Sequence, residues 1–209
     1  ALELNLYRTP SDFKGKCSDI ETEQVEVVKE VIKKTSIPVS VKLSIYYTNP
    51  LGFIAHLDNH EVNGFVLFNR FFQPEIDPDK QENIFQFNFS SETDNRLPLR
   101  YAGLLYDNIK GDICTSTGIM TGKDVAKMVL AGARCVQVVS TLFINGLPHI
   151  QTMVKELQGW MEHNGYTDLD SFRGKLSRKN SSDPWRYTRS QYVRLLLHPD
   201  QIINNFPSM

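Results

Sequence analysis

A chain of 209 residues with 41% hydrophobic and 22% charged side chains is long enough to bury a sizeable core, and its composition excludes a disordered, collagen-like or low-complexity polypeptide. Lys and Arg number 23 against 24 Asp and Glu, so a formal charge of −1 provides no overall field toward nucleic acid or an anionic membrane. Cys17, Cys114 and Cys135 form no C-x-x-C and no metal-ligand spacing with His, which predicts a reducing, cytoplasmic setting without a bound metal; no apolar run reaches the roughly 18 residues of a membrane span.

Leu2-Glu3-Leu4-Asn5-Leu6 alternates apolar and polar residues and reads as a strand, so the chain opens in mid-strand. Val25, Val28, Val31 and Ile32 predict an amphipathic helix over 21–34, with Glu26 and Glu30 set to pair with Lys33 and Lys34. Pro38 precedes a strand at 39–44, a weaker helical pattern covers 51–60, and Gly64-Phe65-Val66-Leu67-Phe68-Asn69 is a further strand. Residues 71–95 break the rhythm with Pro74, Pro78 and an alternating Ile84-Phe85-Gln86-Phe87-Asn88-Phe89, which predicts an inserted hairpin. Helix 98–109, strand 112–115, helix 122–131, strand 135–139 and a long helix striped by Ile150, Met153, Val154, Leu157, Trp160 and Met161 complete the pattern; Thr121-x-x-Asp124 reads as a capping box.

Strands alternating with helices predict an α/β fold with a parallel sheet, which a doubly wound sheet and a (β/α)8 TIM barrel both satisfy. Open parallel sheets are apolar on both faces, whereas here Glu3, Asn5, Ser40, Lys42 and Ser44 make one strand face polar, as near a ligand in a barrel lumen. Five strands against eight predict the C-terminal part of such a barrel, about strands 4 to 8. Residues 1–165 then form that portion, with 71–95 inserted, and 166–209 form a basic C-terminal extension packed on it. Within 171–194, Arg173, Lys175, Arg178, Lys179, Arg186, Arg189 and Arg194 face a single Asp183, but Phe172, Leu176, Trp185 and Tyr187 interleave them as anchors, so a docked extension is expected and no nucleic-acid partner.

The turns after the last two strands hold Thr115-Ser116-Thr117-Gly118-Ile119 and Val139-Ser140-Thr141. In (β/α)8 barrels the loops after the seventh and eighth strands frequently bind phosphate through backbone N–H groups and a helix N-terminus; a Ser/Thr-rich turn that only caps helix 122–131 gives the same sequence. Lys42 lies on a polar strand face two residues before the end of its strand. It neutralises a ligand's negative charge, forms a Schiff base with a carbonyl substrate, or pairs with Glu3. Asn5 and Asn69 end their strands at the same rim, and each offers an acceptor and two donors to an amide- or carboxylate-bearing ring.

In this order and spacing, Glu3-Leu4-Asn5-Leu6, Val41-Lys42-Leu43-Ser44, Leu67 to Asp77, Ser116-Thr117-Gly118-Ile119 and Gln137 to Leu142 resemble the dihydroorotate dehydrogenase family, in its class 1-like form. Phe68-Asn69-Arg70-Phe71-Phe72-Gln73-Pro74, Leu97-Pro98-Leu99-Arg100 and Phe172-Arg173-Gly174-Lys175-Leu176-Ser177 resemble its dihydroorotate dehydrogenase-like branch. The resemblance spans nearly the whole chain and falls in the C-terminal part of the family's barrel, so the remaining N-terminal part of the barrel is an expected partner.

The resemblance implies an FMN-dependent dehydrogenase acting on CH–CH bonds in pyrimidine metabolism, a small-molecule substrate and a homodimer. Lys42 matches the lysine beside the flavin N1/O2 edge, where it offsets the charge of the reduced ring. Asn5 and Asn69 match asparagines that hold the pyrimidine, Asn69 also lying near the flavin. Thr117 and Gly118 match paired glycines that bind the FMN phosphate, and Val139 and Ser140 match the Gly-Thr pair of the second phosphate turn; each turn lacks one glycine, which is accommodated where φ stays negative. At the position of the family's basic Cys or Ser stands Arg8, whose guanidinium stays charged and cannot take a proton. The base is left unassigned, with Tyr7 and the more distant Cys17 the nearby groups. Three readings follow: an FMN oxidoreductase acting on a pyrimidine-like or carboxylated substrate, held by Asn5 and Asn69 with Arg8 or Arg70; a non-catalytic barrel subunit; and a flavin-free Schiff-base lyase built on Lys42.

Overall fold

Several helices carry their own start signals, and these set where the intervening strands give way to them. In the computed structural model, which describes residues 1–8, 15–85, 87–189 and 197, β1 (Leu2–Asn5) leads to α1 (Cys17–Lys34). The Asp19 carboxylate accepts the Lys16 N–H at the start of α1, and Lys33 and Lys34 complement the dipole at its end. After β2 (Val39–Leu43), α2 (Pro50–Asp58) begins where Asn49 accepts the Gly52 N–H at 3.1 Å, with Pro50 in the first turn, where its missing N–H is not needed. Phe53, Ile54 and Leu57 of α2 are all buried, so polar contrast along 51–60 is weak.

β3 (Gly64–Leu67) precedes an antiparallel hairpin of β4 (Glu75–Asp77) and β5 (Glu82–Ile84). The alternation expected through Phe89 ends as a strand at Ile84. Beyond it Phe85 meets Phe87 edge to face and Phe87 stacks on Phe89 instead of joining a ladder, and Phe72 and Phe143 extend the row at each end. A 3-10 turn at 92–95 leads into α3 (Arg96–Leu105). This helix starts two residues before the expected 98 because Pro98 fits within a first turn, and it stops before 109 because Asp107 takes φ +62. β6 (Asp112–Ser116), α4 (Gly122–Ala131), β7 (Cys135–Gln137), α5 (Ser140–Asn145) and α6 (His149–His163) follow. β7 ends at Gln137, short of the expected Val139, because Val139 caps the start of α5.

The five remaining strands form one parallel sheet ordered β1-β2-β3-β6-β7. Val39, Val41, Leu43, Phe65, Leu67 and Ile113 are buried, and most of them join one core with Val25, Val28, Phe53, Ile54, Leu57 and Leu105 from α1, α2 and α3. The opposite face is concave. Gln137 on β7 donates from Nε2 to Glu3 Oε2 on β1 at 2.7 Å, although three strands lie between them. In a flat sheet, four gaps of about 4.8 Å would hold those edges roughly 19 Å apart, beyond the span of the two side chains. The sheet is therefore curled as a barrel wall is. Its concave face is less uniformly polar than the sequence indicates: all of β3 is buried, and Val66 occupies that face beside Lys42.

Residues 166–189 run along α3 and α4. Phe172 is buried, Gly174 and Leu176 donate N–H to Val129 O (2.9 Å) and Leu130 O (2.8 Å), and Arg178 donates to Gly103 O at 2.9 Å. Arg194 and the rest of 190–209 apart from Leu197 lie outside the described residues. Among the described residues, no helix is long and apolar enough to cross a membrane, and no cluster of His, Cys, Asp and Glu is arranged to hold a metal.

Candidate active site

Parallel strands end together, so residues at their C-terminal ends converge on one rim. A cavity of about 340 Å³ opens there, lined by Asn5, Lys42, Asn69, Thr117, Gly118, Val139 and Ser140, together with Tyr7, Arg70, Ser90 and Gln137. The volume lies in the ordinary range for small-molecule sites, about 300–1,000 Å³. A larger hollow of about 440 Å³ lies between α1 and α2 beside Glu26, Lys29 and His56, and no strand end contributes to it.

Asn69 is placed by its own backbone, whose N–H donates to Leu43 O at 2.7 Å; its Nδ2 donates to Asn5 Oδ1 at 2.5 Å and to Lys42 O at 3.2 Å. The two asparagines thus act as one unit. Lys42 Nζ donates to Gln137 Oε1 at 2.9 Å, and Gln137 in turn meets Glu3, so Lys42 reaches Glu3 only through an intervening amide. Cys114 and Cys135 lie opposite each other in register on β6 and β7; the influence of each thiol on the other holds Cys135 down at about 7 and, with burial, pushes Cys114 up.

The turn after β6 is fixed by buried polar groups. Asp124 accepts from Met120 N, Thr121 N, Thr121 Oγ1, Asn95 Nδ2 and Lys127 Nζ, and Asn95 Nδ2 also donates to Gly118 O at 3.1 Å. Burial alone would raise the Asp124 carboxyl, but the bonds from Lys127, Thr121 and Met120 outweigh it and hold the pKa below the usual value. Because the folded pKa is depressed, this stabilisation is complete above the unfolded pKa of about 3.9 and is lost as pH falls through the folded value. Asp124→Asn is expected to cost about 2–3 kcal/mol at pH 6 in urea unfolding, with the difference from wild type shrinking below about pH 4. A deficit of constant size from pH 6 to pH 3 would contradict this account.

Gly118 and Ile119 are both buried, and neither backbone N–H has an acceptor among the described residues. Buried N–H groups are rarely left unpaired, so these two, lining the cavity, fit an external anion. Ser140 Oγ accepts from Ser90 N (3.0 Å) and Ser90 Oγ (2.9 Å), which leaves its own proton to donate. Thr117 corrects one expectation. It sits at φ +81, not at a negative φ, and is held there as its Oγ1 donates to Phe68 O at 3.3 Å. Val139 keeps a negative φ of −132.

Arg8 does not line the cavity; it pairs with Glu23 of α1. Tyr7 does, with its hydroxyl donating to Arg70 O at 3.2 Å and accepting from Phe72 N at 3.4 Å. The Arg70 guanidinium also lines it, anchored by Asn88 Oδ1 at 2.6 Å and by Asp94 at 3.6 Å. The Cys17 side chain lies outside the described residues. Sequence reasoning missed Gln137 and Ser90: Gln137 carries a signal, an in-register position beside Ser116 on the polar face, whereas Ser90 arrives only through the return of the hairpin.

A sequence profile described as Dihydroorotate dehydrogenase matches residues 11–161. The chain belongs to the dihydroorotate dehydrogenase family. It is 30% identical over 179 residues to the catalytic subunit of dihydroorotate dehydrogenase B (NAD(+)) from Alkaliphilus metalliredigens, covering 84% of this chain and 59% of that one. A shorter stretch of 60 residues is 42% identical to dihydroorotate dehydrogenase (fumarate) of Saccharomyces cerevisiae, covering 29% and 19% of the two chains. A crystal structure of DHODH from Eimeria tenella in complex with ferulenol shares the fold at a TM-score of 0.61 and 18% identity, over 82% of this chain and 53% of that one. This dihydroorotate dehydrogenase family chain thus spans a little over half the length of the relatives it matches across most of its own residues.

Proposed function

We propose that this chain forms part of an FMN-dependent oxidoreductase that transfers hydride between flavin and a small pyrimidine-like or carboxylated substrate. One observation carries the reading: ends of all five parallel strands and their turns bring Asn5, Lys42, Asn69, Thr117, Gly118, Val139 and Ser140 around a single cavity. The donor set fits FMN. The N–H groups of Gly118 and Ile119 and the Ser140 hydroxyl suit its phosphate, and Lys42 suits an electron-rich ring edge. FMN, when bound, supplies the hydride chemistry.

The remaining tasks fall to this chain's own residues. Asn5 and Asn69, locked to each other, present a fixed pattern of amide donors and acceptors to a planar ring. Of the two arginines, only Arg70 lines the cavity; Asn88 and Asp94 hold its guanidinium in place, and its Nη1, which makes no hydrogen bond among the described residues, is the donor that suits a substrate carboxylate. Lys42 places a positive charge at the cavity floor. Tyr7 is the residue before Arg8, which stands where the family places its base, and the bonds of its hydroxyl to the backbone of Arg70 and Phe72 fix the oxygen's place at the cavity. A homodimer in the cytoplasm, with further strands completing the wall beyond β1 and β7, belongs to the same proposal.

The test is the visible absorption spectrum of the purified protein before and after anaerobic dihydroorotate. A flavin band that bleaches is the expected result. A flavin band that persists would keep the cofactor and reject dihydroorotate as substrate, and a colourless protein would overturn the reading in favour of a non-catalytic subunit, to which the engagement of Arg8 already lends support.

A further inference from the structure

We propose that Gln137 is a positioning residue for Lys42, acting as a one-way amide bridge between the Lys42 ammonium and the Glu3 carboxylate. An ammonium only donates and an ionised carboxylate only accepts. Between them a single amide orientation satisfies both: Oε1 toward Lys42 Nζ at 2.9 Å and Nε2 toward Glu3 Oε2 at 2.7 Å. Glu3 thereby dictates which atom Gln137 shows to Lys42. The bridge also joins the outer strands of the sheet across the concave face, so the Lys42 side chain, four methylenes long and otherwise free to sample rotamers, is drawn toward β7 and held at the cavity floor. A direct pair with Glu3 would instead pull the ammonium toward β1, away from Ser116, Val138 and Val139 on the other side of the cavity.

The functional weight of this bridge rests on the flavin reading of Lys42, but the bridge itself is tested without a flavin. Lys42 acylation by an N-hydroxysuccinimide ester, followed by mass spectrometry on the ligand-free protein with Lys29 and Lys123 as internal references, reports how firmly the amine is held. Gln137→Met keeps the side-chain length and removes the amide, and Lys42 is expected to react about tenfold faster with the reference lysines unchanged. Gln137→Glu keeps an acceptor for Lys42 but turns a carboxylate toward Glu3, so it loses the far anchor and is expected to label Lys42 more slowly than Gln137→Met does. If Gln137→Met accelerates every lysine, it has loosened the fold, and Glu3→Leu decides: Glu3 is exposed, and losing the far anchor is expected to speed Lys42 alone about threefold. Unchanged Lys42 reactivity in Glu3→Leu and in a folded Gln137→Met would overturn the proposal. Faster labelling in a protein without a flavin band supports the bridge and rejects the flavin reading, whereas a flavin band with unaltered labelling does the reverse.

Discussion

Lys42→Met is expected to slow the bleaching of the flavin band by dihydroorotate by about a thousandfold while leaving the fold intact. The ammonium is the cation that the cavity places among Asn5, Asn69 and Gln137, and a preorganised charge at a developing negative charge is typically worth about 10²–10³ in rate. Methionine preserves most of the stem and its packing, so the loss isolates the charge. The cost in stability is small because Lys42 is only half-buried and its removal leaves one Gln137 oxygen that water can reach. Stopped-flow bleaching gives the rate, and a thermal melt within about 3 °C of wild type certifies the fold. A rate within threefold of wild type would remove Lys42 from the reaction.

Gly118→Ala is expected to lower stability by about 3 kcal/mol, a fall in Tm of roughly 6–12 °C for a chain of this size. Two penalties combine. At φ +72 any L-residue pays about 1–2 kcal/mol, and the new Cβ would lie 2.5 Å from Asn95 N and 2.6 Å from Ser91 O, backbone atoms that cannot swing aside. Gly165→Ala separates the two, because Gly165 has φ +73 but nothing within 4 Å of its Cβ position. It should pay only the backbone share, about 1–2 kcal/mol. Equal losses at the two positions would show that the 91–95 turn yields to the methyl group. The same comparison shows why the turn needs a glycine even before any anion is considered: the space beside Gly118 is filled by the protein's own backbone.

Much of the architecture was legible because it is written in local periodicity. The spacing of Val25, Val28 and Ile32, the alternation of Val39, Val41 and Leu43, and the Thr121-x-x-Asp124 box each depend on residues within one or two turns of one another, and each element forms where that pattern lies. Asn5, Lys42 and Asn69 could be placed on one rim because parallel strands end together. What stayed hidden depends on distance along the chain or on backbone angles. The Ser90 to Ser140 contact joins residues 50 apart, and no composition signal marks it. Thr117 adopts a positive φ that its β-branched side chain disfavours, so the sequence argues against the conformation that the Phe68 carbonyl helps to hold. The Phe85, Phe87 and Phe89 alternation looks like a strand because a row of packed rings and a pleated face favour the same residues.

The contact between Glu3 and Gln137 bridges 134 positions of sequence. Contacts so far apart along the chain are among the last a folding polypeptide makes, since the loop they close must first be organised by nearer pairings. As the chain is synthesised, β1 to β6 can pair in order, each new strand laid beside its predecessor once the hairpin is set aside. Until β7 is in place, the Gln137 amide does not stand between Lys42 and Glu3. The curvature that makes the cavity and the fixed bearing of Lys42 within it therefore depend on one and the same long-range contact, so neither is expected before β7 is in place.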